Sequence, residues 1–296
     1  MGLSEDFYKL LDGAENDPEA QKRAAQLVFE AEEGPESSGL LALMYHDGIG
    51  VEQDLEKAFK YAEEAAEEEE GLALYLLGHM CEHAETPDQE FGGDRQKYDH
   101  YDAEDFMERC TKTDSSWAES AHLWLGDFFM DMARGGDPEI ALEHYEAIGE
   151  NNAEAAGKLC DYYWERWQYE TEVEGGNPDK ELAEKVFYWT HQAVRLDPCE
   201  FSFRMGCCYA DGIACDPQKG FRLARKYWED AYDYGNWWAA ESIAALYQDR
   251  LDSLPEDAPE TERQNCRKQI ESWLKLAARE KARQDAMEPD PSQEED

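Results

Sequence analysis

Basic residues are scarce in this chain: 28 Lys and Arg stand against 70 Asp and Glu over 296 residues, a formal charge of −42. Recognition of nucleic acid and of anionic membranes starts from Lys and Arg neutralising phosphate, so direct binding to either is not expected. No apolar run approaches the roughly 18 residues that a spanning helix needs. The opening MGLSEDFYKLL has neither the basic region nor the apolar core of a secretory signal. Gly2 follows the initiator, but Asp6 stands where the acylation pattern wants Ser or Thr. These absences predict a cytoplasmic protein. Paired cysteines are missing as well: Cys81, Cys110, Cys160, Cys199, Cys207, Cys208, Cys215 and Cys266 include no C-x-x-C. Free thiols serving as small packing residues are expected rather than a disulfide framework or a metal cluster. Phosphate-cradling Gly loops, a serine elbow and a calcium loop are all lacking, and no cofactor is expected. What remains is 42% apolar and 12% aromatic, enough to bury a sizeable core.

The chain also has internal periodicity. An apolar residue followed by a small one recurs at Leu41-Ala42, Leu77-Gly78, Leu125-Gly126, Leu159-Cys160, Met205-Gly206 and Ile243-Ala244, with intervals of 36, 48, 34, 46 and 38 between the small residues. Three residues after the small one stands Tyr45, Phe129, Tyr163, Tyr209 or Tyr247, with Cys81 in the second copy. A second pattern follows each first one: Ala58, Tyr61, Ala65; Ala103, Phe106, Cys110; Ala141, His144, Ile148; Val186, Trp189, Ala193; Ala224, Tyr227, Ala231; and Ile270, Trp273, Ala277. Offsets of three and four share one helix face, so each unit predicts a helical hairpin. The small residue lets two helix backbones approach, and Trp189, Trp228 and Trp273 on second helices are expected to be core. The Glu67 to Glu70 run is expected to be a solvated helix end that opposes the helix dipole.

Gly39 to Gly71 carries Leu41-Ala42 with Tyr45, a Gly48-Ile49-Gly50-Val51 turn and an Asp54-x-x-Lys57-Ala58 second helix. This stretch resembles a Sel-one-like repeat, a relative of the tetratricopeptide repeat, and Met205 to Asn236 is a second clear copy. The other four units keep the helix patterns without the Gly-x-Gly turn. The resemblance implies an all-α, right-handed α-solenoid of about six antiparallel helical hairpins. Residues 1–36 form an N-terminal helical cap, with Asp17-Pro18 opening its second helix. The repeats run over about 37–71, 72–117, 118–152, 153–197, 198–235 and 236–280, and 281–296 is an acidic tail with too little apolar content to fold. Glu85 to Tyr101, Thr171 to Pro178 and Asp252 to Glu262 read as lengthened loops.

One string matches a catalytic pattern. His79-Met80-Cys81-Glu82-His83 reads H-x-x-E-H, the inverted zinc-peptidase motif, but Leu77-Gly78 just before it places the string inside a repeat helix. A chance match is the preferred reading, with no catalytic, cofactor or metal residue assigned. By resemblance to tetratricopeptide arrays, the concave groove is lined by positions six and three before, and one and four after, each small residue. The candidates are His46, Tyr75, His79, Glu82, Leu123, Asp127, Met130, Glu154, Asp161, Trp164, Glu200, Phe203, Trp238 and Glu241. Over all six units these positions include seven acids and no Lys or Arg. The expected function is therefore a non-enzymatic scaffold, as an adaptor, inhibitor or immunity-type protein. It would bind a basic partner protein through an acidic, aromatic groove. The alternative is a nucleic-acid-mimicking inhibitor of a DNA- or RNA-binding protein, with the zinc peptidase ranked below it.

Overall fold

A computed structural model describes residues 2–14, 16–86, 100–172, 179–213 and 217–286. Among these residues the protein is all α, with fourteen helices and no strand, and it packs as two units, Met1–Ile148 and Gly149–Asp296. In the first unit α1 (Leu3–Leu11) and α2 (Pro18–Phe29) precede three helix pairs. These are α3 (Pro35–Asp47) with α4 (Leu55–Ala66), α5 (Gly71–Glu82) with α6 (His100–Cys110), and α7 (Trp117–Met130) with α8 (Pro138–Ile148). The second unit pairs α9 (Ala153–Glu172) with α10 (Lys180–Leu196), α11 (Pro198–Ala210) with α12 (Pro217–Asp233), and α13 (Trp237–Asp252) with α14 (Glu260–Asp285). In the first unit α3 also packs on α5, and α5 on α7. Most of the Glu85–Tyr101 and Thr171–Pro178 loops, Cys215 and the end of the acidic tail lie outside the described residues.

The repeat patterns have a direct packing meaning. In four of the six units the small residue of the first helix meets the residue just after the large one of the second helix. A Cβ on Gly78 would lie 2.8 Å from Met107, on Gly126 2.3 Å from the Tyr145 ring, and on Gly206 2.3 Å from the Trp228 ring. Where the small residue is Cys160, its partner is the short Thr190, whose Oγ1 lies 3.3 Å from Cys160 Sγ. Backbone approach and side-chain volume are thus traded between the two helices, as close packing demands. In three units the aromatic that follows three residues later stacks on the large residue itself. Tyr45 lies on Tyr61 at 5.8 Å and 6°, Phe129 on His144 at 6.0 Å and 1°, and Tyr209 on Tyr227 at 5.6 Å and 11°.

The turn of the first copy is built from Gly48 and Gly50, with φ of 74° and 69°, a region L side chains rarely adopt. The Asp54 amide closes the loop onto the Tyr45 carbonyl at 2.8 Å, and the Asp54 carboxylate caps α4 by accepting from the Lys57 amide. Lys57 Nζ returns to Asp54 at 2.8 Å and lies over the Tyr45 ring, which accounts for the D-x-x-K spacing. Asp17 caps α2 ahead of Pro18 in the same manner.

Two expectations need correction. Glu70 is not a solvated helix end: it caps α5, its carboxylate accepting from the Ala73 amide at 2.7 Å, and burial raises its pKa. Its charge sits at a helix N-terminus, where the dipole favours it. α14 runs to Asp285, into the stretch 281–296 expected not to fold, so the last hairpin is longer than its apolar pattern implied. Trp189 and Trp228 are core at 6% exposure each, and Trp273 is half-buried against Tyr232. The seven described cysteines are free thiols, five of them buried, with Cys199 exposed. Burial pushes the Cys110 thiol up to about 12 and Cys207 up to about 11, which keeps both protonated and unreactive.

Candidate functional site

Three gatherings of side chains involve the predicted inner-helix positions. The first joins α3 and α5. His46 Nδ1 donates to Asp47 at 2.5 Å, and its Nε2 lies 3.0 Å from Glu85 Oε2. The His79 ring stands 5.7 Å from the His46 ring, edge to face, and stacks on His83 at 4.2 Å. The bond to Asp47, with Glu85 adding to it against burial, raises the pKa of His46. Burial, with His83 and His46 beside it, holds His79 below its ordinary value.

The second lies between α5 and α7, a pocket of about 290 Å³ lined by Glu82, Trp124, Asp127, Phe128 and Asp131. Trp124 and Phe128 sit one turn apart on α7 and stack at 5.0 Å and 14°. The Trp124 indole donates to Glu82 at 2.5 Å and the Tyr145 hydroxyl to Asp127 at 2.5 Å, while Asp131 accepts from the Ala133 amide at 2.9 Å. Each carboxylate is thus held in place by a donor of the protein itself.

The third lies between α9 and α11, about 410 Å³, where Glu154, Asp161, Asp197 and Glu200 surround Phe201. Here the protein supplies its own cations. Lys158 Nζ lies 3.6 Å from Glu154, and Arg204 pairs with Asp161 while covering the Trp164 ring at 5.7 Å. Asp161 and Trp164 are therefore engaged inside the protein by a residue that falls between the stripe positions, two before Gly206.

The remaining candidates are scattered. Tyr75 tilts against Trp117 at 4.9 Å, Leu123 and Met130 are half-buried, and the Phe203 carbonyl accepts from the Trp228 indole at 3.0 Å. Trp238 is 57% exposed and stacks on Trp237 at 4.1 Å, and Glu241 is exposed beside it on α13. Sequence reasoning passed over Trp124, Phe128, Asp131, Asp197, Phe201 and Arg204. Trp124 and Phe128 had a legible signal in their four-residue spacing, and Asp197-Pro198 in its resemblance to a helix start; Arg204 had none.

The H-x-x-E-H string lies at the end of α5, where His79 and His83 stack on each other while Glu82 is engaged by a neighbouring helix. His83 Nδ1 donates to the His79 carbonyl at 2.9 Å, and Glu82 is taken by Trp124. Two ligands with a free general base between them are not what this helix presents.

Against known proteins, the family model described as Sel1 repeat matches residues 35–69 and 200–236. No curated protein matches the chain in sequence. A crystal structure of a Sel1 repeat protein from Oxalobacter formigenes is similar at TM-score 0.51 and 17% identity, covering 93% of this chain and 98% of that one. A protective antigen present in uropathogenic Escherichia coli strains and displaying an SLR fold is similar at TM-score 0.52 and 16% identity. That likeness covers 97% of this chain, which spans 64% of the antigen's length. Two stretches of the chain thus match the Sel1 repeat, and its fold is the all-α repeat solenoid of these structures. Among the described residues no helix is long and apolar enough to cross a membrane.

Proposed function

We propose that this protein is a non-enzymatic protein-binding module that takes Lys- or Arg-bearing segments of a partner into acidic, aromatic pockets between first helices. Helical-repeat arrays present extended surfaces to other proteins and carry no chemistry in the repeat itself. The observation that carries the reading is the pocket between α5 and α7, whose lining combines three carboxylates with two stacked aromatic rings. A guanidinium or ammonium there meets ring faces and fixed acceptors together, the combination that favours a desolvated cation. The net charge of −42 steers such a partner toward the surface from a distance. An adaptor or inhibitor role follows from which protein is captured.

Glu82→Gln with Asp127→Asn tests this, because both amides keep an oxygen that can accept from Trp124 and Tyr145 while two charges disappear. Fluorescence anisotropy with peptides that combine Arg or Lys with an apolar anchor should show binding that weakens with salt. Affinity should fall by about tenfold or more in the double variant at unchanged circular dichroism, about 1.4 kcal/mol or more. Equal affinity in the folded double variant, or equal binding of acidic control peptides, refutes the proposal.

A further inference from the structure

The cluster at the ends of α3 and α5 has a composition that protein binding does not explain. His46, His79 and Glu85 each offer one donor atom within 4.8 Å of the others, the one such group of three among the described residues. Asp47 accepts the Nδ1 proton of His46, so the Nε2 lone pair of the neutral ring points at the Glu85 carboxylate. A lone pair and a carboxylate oxygen 3.0 Å apart repel unless a proton or a cation lies between them. A protonated His46 would satisfy that pair alone. It would leave His79 unexplained, since His79 Nδ1 is buried and has no hydrogen-bond partner. An orphaned buried polar atom costs about 1–3 kcal/mol.

We infer that His46, His79 and Glu85 form a site for a divalent transition-metal ion of the zinc type, clamping α3 to α5. Two imidazoles and one carboxylate suit such an ion better than calcium or magnesium, which take oxygen donors. Ligand distances of about 2.0–2.2 Å require the three donors to draw together by about an ångström, within the reach of side-chain rotation. The surroundings already do the work of an outer shell. Asp47 sets the tautomer of His46, as carboxylates do behind metal-bound imidazoles. Glu85 arrives through a tight helix end: Ala84 adopts a left-handed φ of 56°, and the Glu85 amide returns to the Met80 carbonyl at 2.8 Å. Of the H-x-x-E-H string only His79 is a ligand. The other two come from α3 and from the residue after the turn, a combination with no sequence motif.

The test is calorimetric titration of the full chain with zinc chloride, after chelator treatment and in millimolar magnesium to occupy surface carboxylates. A single equivalent should bind. His79→Ala and Glu85→Gln should each lower the affinity by about tenfold or more, whereas His83→Ala should keep it within about threefold. Zinc should also raise the melting temperature of the wild type and not of Glu85→Gln, which leaves a half-exposed position sterically unchanged. Absence of a stoichiometric event overturns the inference. So does binding that survives in folded His79→Ala and Glu85→Gln, or binding lost on His83→Ala but kept in Glu85→Gln.

Discussion

Gly206→Ala puts a single methyl group into a close helix contact of the second unit. The added Cβ would lie 2.3 Å from Trp228 Cδ1 and 2.4 Å from Nε1, where unstrained carbons stand about 3.5–4.0 Å apart. The indole must therefore retreat by about an ångström, yet it is buried at 6% exposure and tied to the Phe203 carbonyl by a 3.0 Å hydrogen bond. Overpacking of this kind costs about 1–3 kcal/mol, and a stretched indole bond adds about 0.5–1.5. Alanine returns about 1 kcal/mol through its helix propensity. A net loss of about 1–3 kcal/mol follows, measurable by urea denaturation under circular dichroism. The control is the same substitution beside Trp228→Leu, where the smaller side chain makes room. There Gly206→Ala should be neutral or stabilising, giving a coupling of about 1–3 kcal/mol in the double-mutant cycle. If Gly206→Ala matches the wild type, or costs the same in both backgrounds, the small position does not act through backbone approach.

Three further outcomes are expected. Ala84→Gly should raise stability by about 1 kcal/mol, because alanine strains at a left-handed helix end where glycine does not; an unchanged melt counts against that geometry. His122 and His144, whose Nδ1 atoms lie 3.1 Å apart, are both held below the ordinary 6.5, chiefly by burial, with His144 adding to the effect on His122 and Glu108 opposing both. With folded values depressed, the unfolded chain binds more protons below pH 6.5, so their contribution is present above that pH and lost as pH falls through the folded values. Raised pKa values at His46 and Glu70 act in the opposite sense, so the readout is the variant difference: His122→Gln with His144→Gln should flatten stability between about pH 7.5 and 5.5, and an unaltered slope excludes the pair. Finally, a net charge of −42 predicts a melting temperature that rises from low salt to about 0.15 M; a flat response would mean locally compensated acids.

Much of the fold was written in local pattern. A small residue at Gly126 or Gly206, an aromatic one turn on, and a large residue on the following helix are separated by spacings that only a hairpin of two helices turns into contacts. Those contacts repeat between neighbours in the chain, so period and residue size carry the information. Asp17 and Asp54 were legible for the same reason, since a cap is made within one turn.

The candidate site was only partly legible, because its members come from different helices whose side chains compete for partners. The inner-helix stripe placed Glu82 and Asp127 on α5 and α7. That Trp124 would reach across to Glu82, or that Arg204 would neutralise Asp161 and cover Trp164, depends on side-chain reach between hairpins, which no spacing encodes. Glu70 shows the same limit: in sequence it closes an acidic run, and only the turn at Glu69, with φ of 56°, makes it the cap of the next helix. The sequence by itself determined the helices, their pairing and the sign of the surface charge, because these follow from composition and periods within one hairpin. Tertiary structure decided which charges are already paired and which donors meet, bringing His46 of α3 together with His79 and Glu85 at the end of α5.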